Sequence, residues 1–293
     1  MKQFFIIVVI SIFIIINFNY IYNTNNSISF ISPSSMGRGS DITIRNISRS
    51  LKINDLINKD IVVKNIIGAN GGIALEELYT NSEDYDLIIY SPSLLLINLT
   101  NQTEYNYKNF TPIANFEKNW GGFAVSKESK YKNIKQIMSS LKKDPQSITV
   151  AGDSPPGSAN HIQFLLAAKA AGVSNLAKIR YVSFKDGQSI LNLLGGHVDL
   201  VSTKITNLYS FLKNKSVRGL AVTSPARIDD NVFGNIPTLK EEGINSTFIH
   251  WKGIIGASNM SKKEVEYWEK VINKLIHTDD WEQISLVKKI III

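Results

Sequence analysis

The sequence predicts an α/β fold in which strands alternate with helices from residue 28 to residue 276. Two observations support this prediction. Short β-rich apolar runs recur along the chain, and each is followed by a segment with apolar residues at helical spacing. Glycine, serine and other small residues fill most of the loops between a strand and the next helix. This alternation favours a mostly parallel sheet, in which ligands bind beyond the carboxyl ends of the strands.

The stretch from Ile148 to Gly172 shows this strand, loop and helix unit most clearly. A β-rich run enters a loop of Gly, Asp, Ser and Pro, and a helix is expected from Ala159. The apolar residues at helical spacing are Ile162, Leu165, Leu166 and Ala170. Gly157 lets a ligand approach the backbone, and Ser158 adds a hydroxyl group. The free N–H groups of the first helical turn then favour an anion. The alternative is an ordinary turn with Ser158 as its N-cap.

Three earlier segments repeat this arrangement. Their strands are predicted at Ile28–Ile31, Ile61–Asn65 and Tyr85–Tyr90, with loops at Pro33–Asp41, Gly68–Gly72 and Ser91–Ser93. Gly37 and Gly39 resemble the start of a dinucleotide-binding fingerprint. The third glycine is missing, and no acidic residue closes a following strand at the required distance, so a dinucleotide is not expected.

The second half of the chain continues the same pattern. Strands are predicted at Phe123–Val125, Lys178–Phe184, His197–Ser202, Arg218–Thr223 and Ile254–Ala257, and helices at Tyr131–Leu141, Gln188–Leu194 and Lys262–Ile276. Gly195 and Gly196 end the helix before them as a C-cap. Because the chain passes between two lobes twice, near Val125 and Val222, a hinge of two crossings is expected.

Composition narrows the possible functions. The chain of 293 residues is 44% hydrophobic and 19% charged, which is typical of a globular protein large enough for two domains. The net charge of +7 is spread along the chain instead of forming one basic patch, so no nucleic-acid partner is expected. Cysteine is absent, which excludes disulfides, thiol catalysis, cysteine-metal sites and attachment of a lipid to cysteine.

Residues 1–26 have the pattern of an export signal. Lys2 precedes an apolar run from Phe4 to Ile16, and polar residues follow it. No A-x-A cleavage site is present, so an uncleaved N-terminal anchor is the alternative. With either outcome, the rest of the chain is expected outside the cytoplasm, in the periplasm.

Several motifs in a fixed order resemble one protein family. The motifs are Pro33–Asp41, Gly68–Gly72, Gly152–His161, Tyr181–Gly187, Leu193–Asp199, Leu220–Arg227, Ile236–Thr238 and Trp251–Gly253. In order and spacing, this series resembles the substrate-binding proteins of tripartite tricarboxylate transporters, also called Bug receptors. The resemblance extends from about Ile28 to Leu286.

The resemblance implies a type II periplasmic-binding-protein fold with two α/β lobes that close on a small carboxylate. The first lobe would contain residues 27–124 and 225–293, and the second residues 125–224. The ligand would be a tricarboxylate such as citrate, or a dicarboxylate, delivered to the membrane components of the transporter. In the family, the loops that match Pro33–Asp41 and Gly152–His161 hold a carboxylate through backbone amides and ordered waters. No cofactor is implied.

The residues expected to bind the ligand belong to these loops and to neighbouring strand ends. They are Ser34, Gly37, Arg38, Gly39, Ser40, Ser91, Gly157, Ser158, His161, Lys185 and Thr203. The side chain of His161 either faces the ligand or packs against the sheet. Asp41 is expected to cap its own helix, because its charge would repel a carboxylate.

Two departures from the family leave other functions open. Arg38 stands in a run that is usually glycine, where it either contacts the carboxylate or obstructs the backbone. The family also usually continues for some thirty residues past Lys289, so we expect the first lobe to lack apolar cover. One alternative is therefore a degenerate family member that no longer binds.

The other alternative is an extracytoplasmic enzyme, but no convincing catalytic group is present. Ser154 precedes two prolines at the place where a nucleophile elbow would begin its helix. The four histidines share no metal-ligand spacing, so no metal site is expected.

Overall fold

The computed structural model describes residues 27–82, 85–184 and 187–288. The strands are β1 (Ser27–Ser32), β2 (Asp60–Asn65), β3 (Leu87–Tyr90), β4 (Thr111–Ser126), β5 (Thr149–Gly152), β6 (Arg180–Ser183), β7 (Leu200–Lys204), β8 (Val217–Val222) and β9 (Ile249–Gly256). The helices are α1 (Gly39–Ile53), α2 (Gly72–Thr80), α3 (Pro92–Leu96), α4 (Ile134–Lys143), α5 (Ala159–Ala170), α6 (Gln188–Leu194), α7 (Tyr209–Lys213), α8 (Lys262–Ile276) and α9 (Asp279–Lys288). Short 3₁₀ turns occupy some of the connections.

These elements divide between two compact units. Unit 1 comprises 27–89, 108–113 and 254–278, and unit 2 comprises 90–107, 114–253 and 279–288. Strands β4 and β9 each contain residues of both units, so the chain passes between the units within these two strands. The lobe boundaries expected from the sequence stay a prediction.

Unit 1 contains a parallel arrangement of three strands. Strand β1 lies between β2 and β3 and is parallel to both. Helix α1 buries Ile44, Ile47 and Leu51, which recur at helical spacing, and charged residues occupy other positions of the helix. The ring of Phe30 on β1 packs at 5.6 Å from the ring of Trp268 on α8, and both side chains are fully buried.

Unit 2 contains a mixed sheet in the strand order β8-β4-β7-β5-β6. Strand β5 is parallel to β6 and β7, whereas β4 is antiparallel to β7 and β8. Both faces of this sheet are covered. Phe123, Val150 and Leu200 belong to one apolar cluster, while the next residue in each strand belongs to a second cluster on the other side. Successive side chains of a strand point to opposite faces, so each strand contributes to both cores.

The predicted α/β fold with helices flanking the sheets is confirmed. Helix α8 has the predicted bounds, and helix α4 begins at Ile134 because Asn133 caps it through the Gln136 N–H. The predicted export segment 1–26, Lys185 and the terminal residues 290–293 lie outside the described residues. None of the helices in the part of the chain that the structure describes is long and apolar enough to span a membrane.

The buried face of α5 does not coincide with the apolar residues noted at helical spacing. These residues, Ile162, Leu165, Leu166 and Ala170, are partly or largely exposed, and Leu166 is 41% exposed. The helix instead buries the face that contains Asn160, Gln163, Phe164 and the two alanines that follow. Two polar residues lie on this inner face, and their hydrogen bonds are described below.

Candidate functional site

The loop between β5 and α5, residues 153–158, turns at Gly157. The backbone of Gly157 has φ +83°, a conformation that costs side-chain-bearing residues energy. Its N–H donates a hydrogen bond of 3.0 Å to Nδ1 of His161, four residues later. The first turn of the helix therefore fixes the loop that precedes it.

Ser158 occupies the N-cap position of α5, but its hydroxyl group does not cap the helix. It donates to the carbonyl oxygen of Pro155, and its Oγ lies 2.6 Å from Ser154 Oγ. The Ser158 N–H also donates to the Pro155 carbonyl oxygen, at 3.1 Å. The Ala159 N–H donates to Ser93 Oγ, at 3.3 Å. These donors are thus used within unit 2.

The two N–H groups that follow are available. Among the residues that the structure describes, no acceptor is found for the N–H of Asn160 or of His161. Both belong to the first turn of a helix of 12 residues, where the helix dipole favours negative charge. The carbonyl oxygen of Asn160 accepts a hydrogen bond of 2.7 Å from Ser202 Oγ, which ties this turn to β7.

His161 packs against β6. Its ring lies 4.3 Å from the ring of Tyr181, whose hydroxyl group donates to the Ser154 carbonyl oxygen at 2.8 Å. Burial lowers the pKa of His161, and burial raises the pKa of Tyr181 to about 12. The imidazole is therefore held in the form in which Nδ1 accepts the Gly157 N–H.

The loop between β1 and α1 in unit 1 repeats this geometry. Gly37 has φ +78°, and its N–H donates to Asp41 Oδ2 at 2.8 Å. The other carboxylate oxygen of Asp41 accepts hydrogen bonds of 2.8 Å from Arg45 Nε and from Asn65 Nδ2. Burial raises the pKa of Asp41, but the hydrogen bonds from Asn65, Gly37 and Arg45 outweigh burial and hold the pKa below its ordinary value.

Asp41 therefore reaches back to the loop instead of occupying the N-cap position, which belongs to Arg38. Within the described part of the chain, the N–H groups of Ser40 and Asp41 have no acceptor. These two N–H groups occupy the same helix positions as the N–H groups of Asn160 and His161 in the loop of unit 2. In the sequence, the shared signal is an acceptor side chain four residues after glycine, as in Gly37 and Asp41 and in Gly157 and His161.

The other expected binding residues lie near these two loops or at strand ends. In unit 1, Ser34 Oγ lies 3.1 Å from Ser32 Oγ, and Gly39 is the first residue of α1. In unit 2, Ser91 precedes α3 as its N-cap residue. Thr203 Oγ1 lies 3.4 Å from Asp153 Oδ2 of the loop 153–158, and accepts a hydrogen bond of 2.9 Å from Asn207 Nδ2.

A buried polar network supports the first turn of α5. Gln163 Nε2 donates to Ser202 Oγ at 2.8 Å and to the Thr203 carbonyl oxygen at 3.1 Å. Its Oε1 lies 2.8 Å from His250 Nε2 on β9, so His250 carries its proton on Nε2. Burial, together with the positive charge of Lys204, lowers the pKa of His250 to about 3.

Unit 2 also contains an ion-pair cluster that the sequence did not predict. Glu117 on β4 accepts from Lys204 Nζ at 2.8 Å through Oε1 and from Lys252 Nζ at 3.1 Å through Oε2. Burial raises the pKa of Glu117, but the two ammonium groups outweigh burial and lower it to about 2. The three residues lie far apart in sequence. Of the three, only Lys252 lies in a motif of the family resemblance, Trp251–Gly253.

A cavity of about 490 Å³ lies elsewhere in unit 2. Its lining includes Ser126, Tyr131 and Leu193, with Asp199 beside the amino end of β5, and it contains none of the expected binding residues. Ligands of open α/β sheets bind at the opposite, carboxyl ends of the strands, so we do not assign this cavity to the ligand. Among the described residues, no group of three His, Cys, Asp or Glu is placed to hold a metal ion.

Comparison with known proteins gives one family match. Residues 45–281 match the family described as the tripartite tricarboxylate transporter family receptor. Among curated proteins, one similar relative is the UPF0065 protein in the tcbD-tcbE intergenic region of Pseudomonas sp. (strain P51). It is 24% identical over 259 residues, which cover 86% of this chain and 74% of the relative.

Solved structures show the same fold. A TctC solute binding protein from Polaromonas, without ligand, superposes with a TM-score of 0.74 at 20% identity, over 91% of this chain and 90% of that one. MatC from Rhodopseudomonas palustris with bound malate superposes with a TM-score of 0.74 at 18% identity, over 91% of this chain and 90% of that one. Another R. palustris protein, with adipate, superposes with a TM-score of 0.71 at 20% identity, over 90% of this chain and 87% of that one.

Proposed function

Because the chain belongs to the tripartite tricarboxylate transporter family of receptors, we propose that it is an extracytoplasmic receptor for a small carboxylate. It would deliver this ligand to the membrane components of a tripartite tricarboxylate transporter. The family and its structural relatives are solute receptors and not enzymes. The ligand would be a di- or tricarboxylate, since similar structures contain malate or adipate.

The geometry that supports this proposal is the loop that occurs once in each unit. Each loop turns at a glycine with positive φ. At the start of a helix of 12 or 15 residues, it places two N–H groups for which the described residues offer no acceptor. A carboxylate oxygen accepts two or more such donors and is stabilised by the positive end of the helix dipole. The donors that we propose are the N–H groups of Ser40 and Asp41 in the loop of unit 1, and those of Asn160 and His161 in the loop of unit 2.

This proposal changes the role of the residues expected from the sequence. The N–H groups of Gly37 and Gly157 are used inside their loops, so these glycines shape the loops instead of donating to the ligand. Ser34, Ser40, Ser158 and Thr203 remain proposed side-chain contacts, and Ser91 is proposed to line the site. Arg38 is proposed to contact the carboxylate through its guanidinium group. Lys185 also stays a proposed contact.

Calorimetry with citrate, malate, succinate and adipate tests the proposal. At least one acid is expected to bind with 1:1 stoichiometry, and a matched neutral amide is expected not to bind. A ligand at about 100 times its dissociation constant adds roughly 2.7 kcal/mol to the free energy of unfolding, so melting curves give an independent measurement. Absence of binding and of stabilisation with every acid would instead support a degenerate family member.

Export is a separate part of the proposal. The apolar run from Phe4 to Ile16 after Lys2 is the pattern that supports it. A fusion of residues 1–30 to a reporter that is active only outside the cytoplasm is expected to be active. A reporter that stays inactive would contradict the proposed periplasmic location and leave the binding proposal untouched.

A further inference from the structure

The cluster of Glu117, Lys204 and Lys252, called here the lysine cluster, carries more positive than negative charge. Two ammonium groups share one carboxylate, and each bonds a different carboxylate oxygen. The Glu117 side chain is only 7% exposed and that of Lys252 13% exposed, so water compensates this excess charge poorly. An additional anion beside the cluster would therefore be stabilised.

Lys204 is the member of the cluster that such an anion can reach. Its side chain is 26% exposed, more than those of the other two residues. Glu117 is its acceptor among the described residues. An ammonium group has three N–H donors, so two of these donors remain for water or a ligand.

The place of Lys204 in the sheet relates it to the proposed carboxylate loop. It is the last residue of β7, and β7 is parallel to and paired with β5, from which the loop 153–158 begins. The preceding residue, Thr203, contacts Asp153 of that loop, and its carbonyl oxygen accepts from Gln163 of α5. Strand β4 is antiparallel to β7, with Gly121 opposite Lys204, so Glu117 lies beyond the end of β7.

From these observations we propose that Lys204 binds a second carboxylate group of the ligand and makes the receptor selective for dicarboxylates over monocarboxylates. This inference rests on the proposed carboxylate-receptor function. The free N–H groups of the α5 turn bind the first carboxylate, and Lys204 Nζ supplies a fixed positive charge for the second. Lys252 positions Lys204 by holding the other oxygen of their shared partner, Glu117.

The experiment compares dissociation constants for succinate and butyrate, and for adipate and hexanoate, in the parent and in Lys204→Met. Hydrogen bonds to charged groups are strong, so the variant is expected to lose at least about tenfold in affinity for its dicarboxylate. Its affinity for the monocarboxylate is expected to change less than about twofold. For each protein, the ratio of the dissociation constants for the monocarboxylate and the dicarboxylate is independent of the folded fraction. Partial unfolding of a variant therefore does not change this ratio.

Two further variants distinguish ligand binding from a purely structural role. Lys178→Met removes the same charge at an exposed position before the amino end of β6, and is expected to keep the parent's ratio. Glu117→Gln removes the carboxylate that competes for Lys204, and is expected to increase affinity for the dicarboxylate while lowering the melting temperature. If the cluster had only a structural role, Glu117→Gln would lower both the affinity for the dicarboxylate and the melting temperature.

Each result decides between the proposals. If the parent binds the matched mono- and dicarboxylates equally well, or if Lys204→Met keeps the parent's ratio, Lys204 is not the selectivity residue, although the receptor function stands. If the parent binds none of the four acids, nor citrate or malate, the receptor function itself is wrong, and the assignment of Lys204 is refuted with it.

Discussion

At the scale of single residues, the two loops depend on glycine for their backbone conformation. Gly157 and Gly37 have positive φ, and each donates its N–H to a side chain four residues later. A β-branched residue is strongly disfavoured in this conformation. Substitution at Gly157 would therefore turn the loop and move the N–H groups of Asn160 and His161 away from the ligand.

We predict that Gly157→Val abolishes carboxylate binding as measured by calorimetry. Gly243→Val is a matched control, because Gly243 lies in the same unit, has φ +76° and has open space where a side chain would extend. Both variants are expected to lose stability, since both strain the backbone. Only the Gly157 variant is expected to lose binding, and equal binding by both would remove this loop from the site.

Ser158 is expected to contribute less than Gly157. Its hydroxyl group also bonds inside the loop, to Ser154 and Pro155, so its proposed contact with the ligand is a single hydrogen bond. Ser158→Ala removes this contact and leaves the backbone donors in place. The predicted loss is about 0.5 to 1.5 kcal/mol of binding free energy, measured by calorimetry. A loss much larger than this would mean that the hydroxyl group contacts the ligand directly through more than one bond.

At the scale of elements, local patterns predicted where strands and helices occur, because alternation of apolar runs and turn residues is written in neighbouring positions. The sequence pattern of α5 predicts a helix but does not identify its buried face, for a physical reason. Apolar residues occur around most of this helix, so periodicity alone does not select one face. The inner face includes Gln163, whose partner His250 is 87 residues away in sequence.

The same limit applies to the candidate site. The loops were predictable, because glycine and serine between a strand and a helix have a local meaning. The lysine cluster was not, since a buried ion pair requires three distant strands to converge and no single segment contains its signal. The role of His161 also required the structure, which shows that its ring both packs on Tyr181 and accepts the Gly157 N–H.

The buried face of α5, which contains Phe164, gives a prediction about stability. Phe164 is fully buried and packs edge-to-face on Phe123, with 5.8 Å between the ring centres, so Phe164→Ala should cost about 3 to 5 kcal/mol of unfolding free energy. Leu166→Ala removes a largely exposed side chain and should cost less than about 1 kcal/mol. Urea unfolding of both variants measures these losses, and the reverse order would contradict the buried face described here.

At the scale of the whole molecule, buried ionisable groups make stability depend on pH. The pKa of His250 is lowered to about 3 in the folded protein, whereas an unfolded histidine has a pKa near 6.5. The unfolded state thus binds this proton first as the pH falls. The stability that His250 contributes is complete above pH 6.5 and is lost progressively between pH 6.5 and pH 3.

Glu117 acts in a lower pH range. Its folded pKa is about 2, compared with an ordinary value of 4.5, so the stability that it contributes is present above pH 4.5 and is lost as the pH falls towards 2. Between pH 6.5 and 4.5, therefore, His250 acts without Glu117. His161, whose pKa burial also lowers, adds to the loss in the same direction.

We predict that the free energy of unfolding falls by up to about 1.4 kcal/mol per pH unit from His250 alone, or roughly 2 kcal/mol between pH 6.5 and 4.5. In His250→Gln this contribution is absent, although the variant is expected to be less stable than the parent at pH 7, because the buried hydrogen bond to Gln163 changes. Urea unfolding at several pH values in this range gives both slopes. Since the His161 contribution is common to both proteins, the difference between the slopes isolates His250, and parallel pH profiles would show that His250 is not held neutral in the folded protein.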